Sequence, residues 1–169
     1  MKIAKIILRN FRQYYGDVEI DLQTPKNKNI ILIGGKNGYG KTNFLISIVW
    51  CLYGEKITQI DENFKREVQK EINYQKFIKQ SLNWNSREEN NSDFSVEIYF
   101  EEIDYPANLK VSDNKIIIKR RFNVDKIEEE LSILNSQGEE LFSEPEDKLS
   151  FINDYLIPLE AAKFVFFDA

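Results

Sequence analysis

Eight consecutive residues, Gly35-Lys36-Asn37-Gly38-Tyr39-Gly40-Lys41-Thr42, combine glycines, lysines and a threonine hydroxyl at the spacing G-x-x-x-x-G-K-[ST]. Glycines let the backbone turn so that successive N–H groups converge on an anion, and a helix that starts directly behind them adds its positive end. In such a cradle Lys41 is expected to reach the β and γ phosphates of ATP, and the Thr42 hydroxyl to ligate Mg²⁺. The expected contacts to the nucleotide are therefore Gly35, Lys36, Asn37, Gly38, Tyr39, Gly40, Lys41, Thr42 and the adjoining Asn43. A plain glycine-rich hairpin is the competing reading, and the flanking elements decide between them.

Those flanks read IILIGGKNGYGKTNFLISIVWCLYG over residues 30–54. The run at 30–33 has the composition of a buried strand, and from Gly40 the period changes: Phe44, Leu45, Ile48, Val49 and Leu52 fall at helical spacing, with Gly54 as the stop. Upstream, Ile3, Ile6, Ile7 and Leu8, then Val18, Ile20 and Leu22, predict two strands, with turns at 15–17 and 24–27. Residues 61–82 carry a second helical pattern, and 83–93 read as a polar loop. Alternation then predicts strands over 94–100, 115–124 and 131–134, the last ending at Ser136-Gln137-Gly138. Residues 144–156 suit a helix opened by Pro145, and 163–168 close the chain as a further apolar run read as a strand. There is no internal repeat. The fold class expected is α/β: a P-loop NTPase core of strand, loop and helix, with an antiparallel β layer and a helical insert.

Composition narrows the chemistry. A chain of 169 residues with 42% apolar side chains is one domain with an ample core. With no histidine and one cysteine, Cys51, disulfide frameworks, Cys/His zinc sites and imidazole bases are excluded. A net charge of −5 argues against a protein that coats nucleic acid with its whole surface, leaving only a local basic patch. Arg9 and Asn10 cut the first apolar stretch below signal-peptide length, and no later run reaches membrane-spanning length. A cytoplasmic location and no membrane partner are expected.

Leu8-Arg9-Asn10-Phe11-Arg12, then IGGKNGYGKTN, then a helix ending in LYG, resembles the N-terminal half of SMC-like ATPases that act on DNA ends and chromosomes. The tail YLIPLEAAKFVFFDA resembles the segment before the coiled coil in DndD-type ATPases of DNA phosphorothioation systems, although Ala169 stands where that family has glycine. The family's signature motif, Walker B carboxylates and coiled coil have no counterpart in these 169 residues. The resemblance thus implies that residues 1–169 are a single N-terminal lobe, that the C-terminal half of the head is a partner, and that paired heads form an ATP-dependent homodimer working on DNA. A nucleotide-gated DNA clamp with little turnover is the alternative; a transporter ATPase component fits less well, because its glutamine loop would follow Lys41 sooner.

Several residues carry two readings. Asp168, behind four apolar residues, fits a Q-loop position sensing Mg²⁺ and the attacking water, or a Walker B carboxylate, or a plain turn cap; the first is preferred because no Ser-Gly-Gly precedes it and no Glu follows. By the resemblance Arg12 approaches the nucleotide, where its planar fork suits phosphate, whereas Arg9 is as well read as a surface residue. Tyr14 and Tyr15 fit either adenine stacking or partial burial. Alternation splits Lys119-Arg120-Arg121 over two faces, as in a solvated edge strand. Trp50 and Cys51 read as packing, and 128–130 as a solvated acidic turn.

Overall fold

Alternating apolar side chains become strands only where neighbouring strands complete their hydrogen bonds, and five segments of this chain do that for one another. In the computed structural model, which describes residues 1–25, 28, 30–60, 62–71, 73–104, 109 and 113–166, they are β1 (Lys2–Phe11), β2 (Tyr14–Asp21), β3 (Asp93–Glu101), β4 (Lys115–Asn123) and β5 (Glu128–Asn135). They form one antiparallel sheet in the order β2-β1-β3-β4-β5. Between β2 and β3 run α1 (Lys41–Tyr53), a single 3₁₀ turn (Gly54–Lys56) and four short helices: α2 (Ile57–Ile60), α3 (Glu62–Lys70), α4 (Tyr74–Lys79) and α5 (Trp84–Glu88). After β5 come α6 (Pro145–Phe151), a π turn (Ile152–Leu156) and α7 (Leu159–Phe166).

Register places Ile6, Ile98, Ile118 and Ile133 in one row across four strands, all facing α1 and fully buried. Trp50 of α1 drives into this face between Phe11 (ring centroids 5.6 Å) and Phe94 (5.2 Å), and Phe94 stacks in turn on Phe122 at 5.6 Å. Cys51 is packing material, as the sequence implies. Its sulfur lies 3.3 Å from the Val96 carbonyl and 3.5 Å from that of Ile118, and burial pushes its thiol pKa from 9.0 up to about 12.

The C-terminal end of α1 is held by a buried polar network. Arg120 donates to the Cys51 carbonyl (2.9 Å), the Leu52 carbonyl (3.2 Å) and Glu129 (2.6 Å), so one guanidinium satisfies two of the carbonyls a helix end leaves over. Tyr74 of α4 donates to Glu129 at 2.6 Å and accepts from Trp50 Nε1 at 2.8 Å. This corrects two expectations. Arg120 lies on an interior strand and faces the core, while Lys119 and Arg121 face outward onto Glu97 and Asp93, both at 2.8 Å; the three basic residues do divide between faces, but not on an edge. The acidic residues 128–130 begin β5 instead of forming a turn, because Glu129 has a buried partner.

Other expectations also change. The β1–β2 turn is at Arg12-Gln13, with Phe11 paired to Tyr14, so residues 15–17 lie within β2. Part of the 83–93 loop is α5, capped by Asn83. Residues 30–33 form no strand. They leave β2 for a region where, among the described residues, no ladder partner exists, and Ile30 and Leu32 are 86% and 93% exposed. The run at 163–166 is likewise helical, as the end of α7, because Pro158 O accepts from the N–H groups of Ala161 and Ala162 and starts a helix of good formers. The helix expected from Pro145 is present.

Candidate nucleotide site

Four stretches meet at the start of α1: the 34–40 loop, the first turn of the helix, the β1–β2 turn and the end of the insert. Gly38 and Gly40 have φ of 85° and 90°, left-handed values that cost other residues strain, and they reverse the chain just before Lys41. Gly40 serves as the helix N-cap without any side-chain cap, and no acidic residue lies in the first turn. The positive end of a 13-residue helix is thus open to an anion. Lys41 Nζ donates to the carbonyls of Gly35 (2.5 Å) and Lys36 (3.1 Å), which folds the loop around its ammonium. The loop is exposed from Gly35 to Tyr39, as is Thr42.

The β1–β2 turn packs against this loop. Gln13 stands so close to Gly40 that a Cβ there would run into its side-chain amide. Gln13 Oε1 accepts from Asn43 Nδ2 at 2.5 Å, and Asn43 Oδ1 accepts from Arg12 Nη1 at 2.8 Å. The Tyr14 hydroxyl donates to Gly40 O at 3.3 Å; burial raises its pKa, against a smaller opposing effect of Gln13. The arrangement fits Mg-nucleotide on its own geometry: an uncapped helix end, an ammonium beside it, an exposed threonine hydroxyl and no competing carboxylate in the first turn.

Of the sequence-derived candidates, the structure brings together Gly35, Lys36, Gly40, Lys41, Asn43 and Arg12 through these contacts. Asn37, Gly38, Tyr39 and Thr42 lie along the same loop and helix start. Asp168 lies outside the described residues. Arg9 points away from the loop and grips Asp17 with two bonds of 2.5 and 2.8 Å on the outer sheet face. Tyr15, 46% exposed, bonds Glu89 of the α5 end. Sequence reasoning missed Gln13, which follows Arg12 without any motif; its only signal is adjacency to a residue already suspected.

The sequence over residues 5–164 matches the family described as AAA domain. The chain belongs to that family. AAA domains are ATPases that bind nucleotide, typically with Mg²⁺. One relative of this AAA domain is the SbcC component of the nuclease SbcCD of Staphylococcus haemolyticus (strain JCSC1435), 37% identical over 59 residues; the match takes in 35% of this chain and 6% of that protein's length. Solved structures of similar fold include one reported for ATP-driven dimerization and DNA stimulated activation of SMC ATPases. It has a TM-score of 0.57 at 21% identity, over 89% of this chain and 76% of that one. Another is an Smc head bound to the C-winged helix domain of ScpA, with a TM-score of 0.57 at 19% identity, over 89% of this chain and 39% of that one. A third, the Smc head with coiled coil and joint from Pyrococcus yayanosii, gives 0.55 at 19% identity, over 89% and 25%. This AAA domain therefore has the fold of an SMC-like ATPase head. Among the described residues no helix is long and apolar enough to cross a membrane.

Proposed function

We propose that residues 1–169 are the N-terminal lobe of an SMC-like ATPase head that binds Mg-ATP and, joined to a C-terminal half, hydrolyses it in step with DNA engagement in DNA modification, defence or repair. The open N-terminus of α1, with Lys41 folded beside it, carries this reading, because that arrangement stabilises an anion and no acidic residue of the first turn neutralises it. In this reading the N–H groups of residues 35–42 and Lys41 hold the β and γ phosphates, and Arg12 and Asn43 flank them. Thr42 and Asp168 hold Mg²⁺, and Asp168 senses the attacking water. Bound Mg²⁺ would offset the charge on the phosphates. The finer placement beside DndD-type ATPases rests on the tail resemblance alone.

Phosphoryl transfer to water also needs a group that positions the water and others that meet the charge developing in the transition state. Among the described residues there is no cluster of three or more His, Cys, Asp or Glu suited to a metal. The remaining machinery is assigned to the C-terminal half and to the opposing head of an ATP-dependent homodimer. The exposed run at 30–33 supports this division, since it has the composition of a strand and, among the described residues, lacks neighbours to pair with.

The test is an ATP titration of this chain and of Lys41→Ala, with circular dichroism to confirm that both fold. Lys41→Ala should abolish measurable binding, because the residue is an exposed ligand. Equal affinity in both would overturn the site. Adding the C-terminal half should give turnover and dimerisation; dimerisation without turnover would favour the clamp.

A further inference from the structure

The tip of the β1–β2 hairpin holds two non-glycine residues in the left-handed region, Asn10 at φ 51° and Arg12 at φ 52°. Such residues cost strain and persist only where their surroundings over-determine them. Here the surroundings are the end of the helical insert, about seventy residues away in sequence. Phe11 forms an antiparallel bridge with Leu82, and its two hydrogen bonds run from Arg12 N–H to Ser81 O (2.6 Å) and from Asn83 N–H to Asn10 O (2.9 Å). Asn83 Nδ2 adds a bond to the Arg12 carbonyl at 2.6 Å, so both polar groups of the Arg12 backbone are bound by the insert.

The side chain is held from the same direction. Arg12 Nε lies 3.4 Å from Ser81 Oγ, and its guanidinium sits 5.6 Å from the Phe77 ring centroid of α4, a cation–π distance. Its far end donates to Asn43, the residue directly behind Thr42. Ser81 and Asn83 are themselves buried, so their geometry is fixed by packing. Asn83 Oδ1 also caps α5, accepting from Asn85 N–H at 3.0 Å and Ser86 N–H at 3.3 Å. A shift of the insert must therefore move Arg12, and a ligand that draws Arg12 forward must pull on the insert.

We propose that Ser81 and Asn83 are positioning residues for Arg12, so that residues 73–83 of the helical insert and the nucleotide site are two ends of one coupled element. This rests on the reading of the loop as a nucleotide site. It adds that the insert sets the strength of ATP binding through Arg12, and that bound ATP in return orders the insert, since such coupling is reciprocal.

The discriminating variant is Asn83→Asp. Aspartate caps a helix as well as asparagine does, so α5 keeps its cap, while the donor to the Arg12 carbonyl is lost and a carboxylate faces that oxygen instead. ATP affinity is measured by protein-observed NMR titration into the millimolar range for the parent, Asn83→Asp, Arg12→Ala and the double variant, with urea unfolding of each. Asn83→Asp should weaken ATP binding about threefold or more in the parent background and leave it unchanged in the Arg12→Ala background. Hydrogen exchange at 73–83 should slow on ATP addition in the parent and not in Arg12→Ala.

Equal losses in the two backgrounds, or no loss in either, would overturn the coupling. An Arg12→Ala chain that binds ATP like the parent would also overturn it, while leaving the loop itself standing if Lys41→Ala still abolishes binding. No saturable binding by the parent would remove both the nucleotide site and this inference.

Discussion

Residues 44–53 of α1 and residues 30–33 are apolar runs on either side of the same glycine loop, yet Val49, Cys51 and Leu52 are fully buried whereas Ile30 and Leu32 stand almost wholly in water. Composition does not separate them. A helix completes its own backbone hydrogen bonds, so α1 needs only apolar cover for its side chains; Ile46 to Tyr53 are all buried, with the five-stranded sheet on one side and α2 and α7 packed against the helix elsewhere. A strand completes its bonds only with neighbours. Among the described residues the sheet ends at β2 and β5, so 30–33 has the side chains of a core element without a core to enter. Burial is decided by who supplies the partner.

Removing the wedge should produce the largest effect. Trp50→Ala deletes the ring that contacts Phe11 and Phe94 and leaves Tyr74 without its indole donor, and should cost about 3–5 kcal/mol. That is a large share of the roughly 5–15 kcal/mol by which domains are stable. Urea unfolding followed by fluorescence or circular dichroism reads it, and a loss below about 1 kcal/mol would mean that the aromatic cluster does not organise the lobe.

The second probe reaches the same packed side through pH. Burial holds Cys51 neutral up to about 12, against 9.0 when exposed. Between those values the unfolded chain has released a proton that the folded one keeps, so folding stability must fall as pH rises through that window. The stability contributed by the neutral thiol is complete below pH 9 and gone above about 12. A Cys51→Ala chain should show a shallower alkaline fall, the remainder belonging to Tyr53, Tyr74 and Tyr99, whose hydroxyls burial also holds neutral to higher pH, and Cys51 in the parent should resist thiol reagents at pH 8 until urea is added. Rapid labelling in native buffer would contradict the burial.

The smallest effect belongs to the exposed run. Leu32→Ser should change the stability of this chain by no more than about 0.5 kcal/mol, because Leu32 has little apolar contact to lose. If the C-terminal half covers 30–33, the same change should weaken association of the two halves. A large loss in the isolated chain would show that the run is already packed.

How far the sequence is legible follows the same division. Local patterns can be read directly: the alternation of Val96, Ile98 and Phe100, the helical spacing after Gly40, Pro145 at a helix start, and the spacing of Gly35, Gly40, Lys41 and Thr42. Features that depend on a partner far away in sequence cannot. Residues 30–33 and 163–166 read as strands on composition, which says nothing about neighbours. Gly16 signals a hairpin turn at 15–17, whereas the chain turns at Arg12-Gln13, with left-handed residues that carry no glycine. Those residues hold that shape because of Ser81 and Asn83, which no local window connects to them. Alternation separates Arg120 from its neighbours, but its burial comes from Glu129 and the end of α1. Within the candidate site the loop is legible, Arg12 is suspected from a resemblance, and Gln13 is silent.

The clamp at the far end of α1 also bears on how relatives of this chain can diverge. Gly54 has φ 55°, and a Cβ there would meet Glu129 Oε1 and the Arg120 guanidinium. Replacing Arg120 by an uncharged residue would in turn leave Glu129 without its cation and the carbonyls of Cys51 and Leu52 without their shared donor. Four positions spread over seventy-six residues, Gly54, Tyr74, Arg120 and Glu129, are thus mutually constrained. A single replacement at any one of them is therefore expected to cost stability, and a joint exchange of the group to cost less than the sum of its single changes.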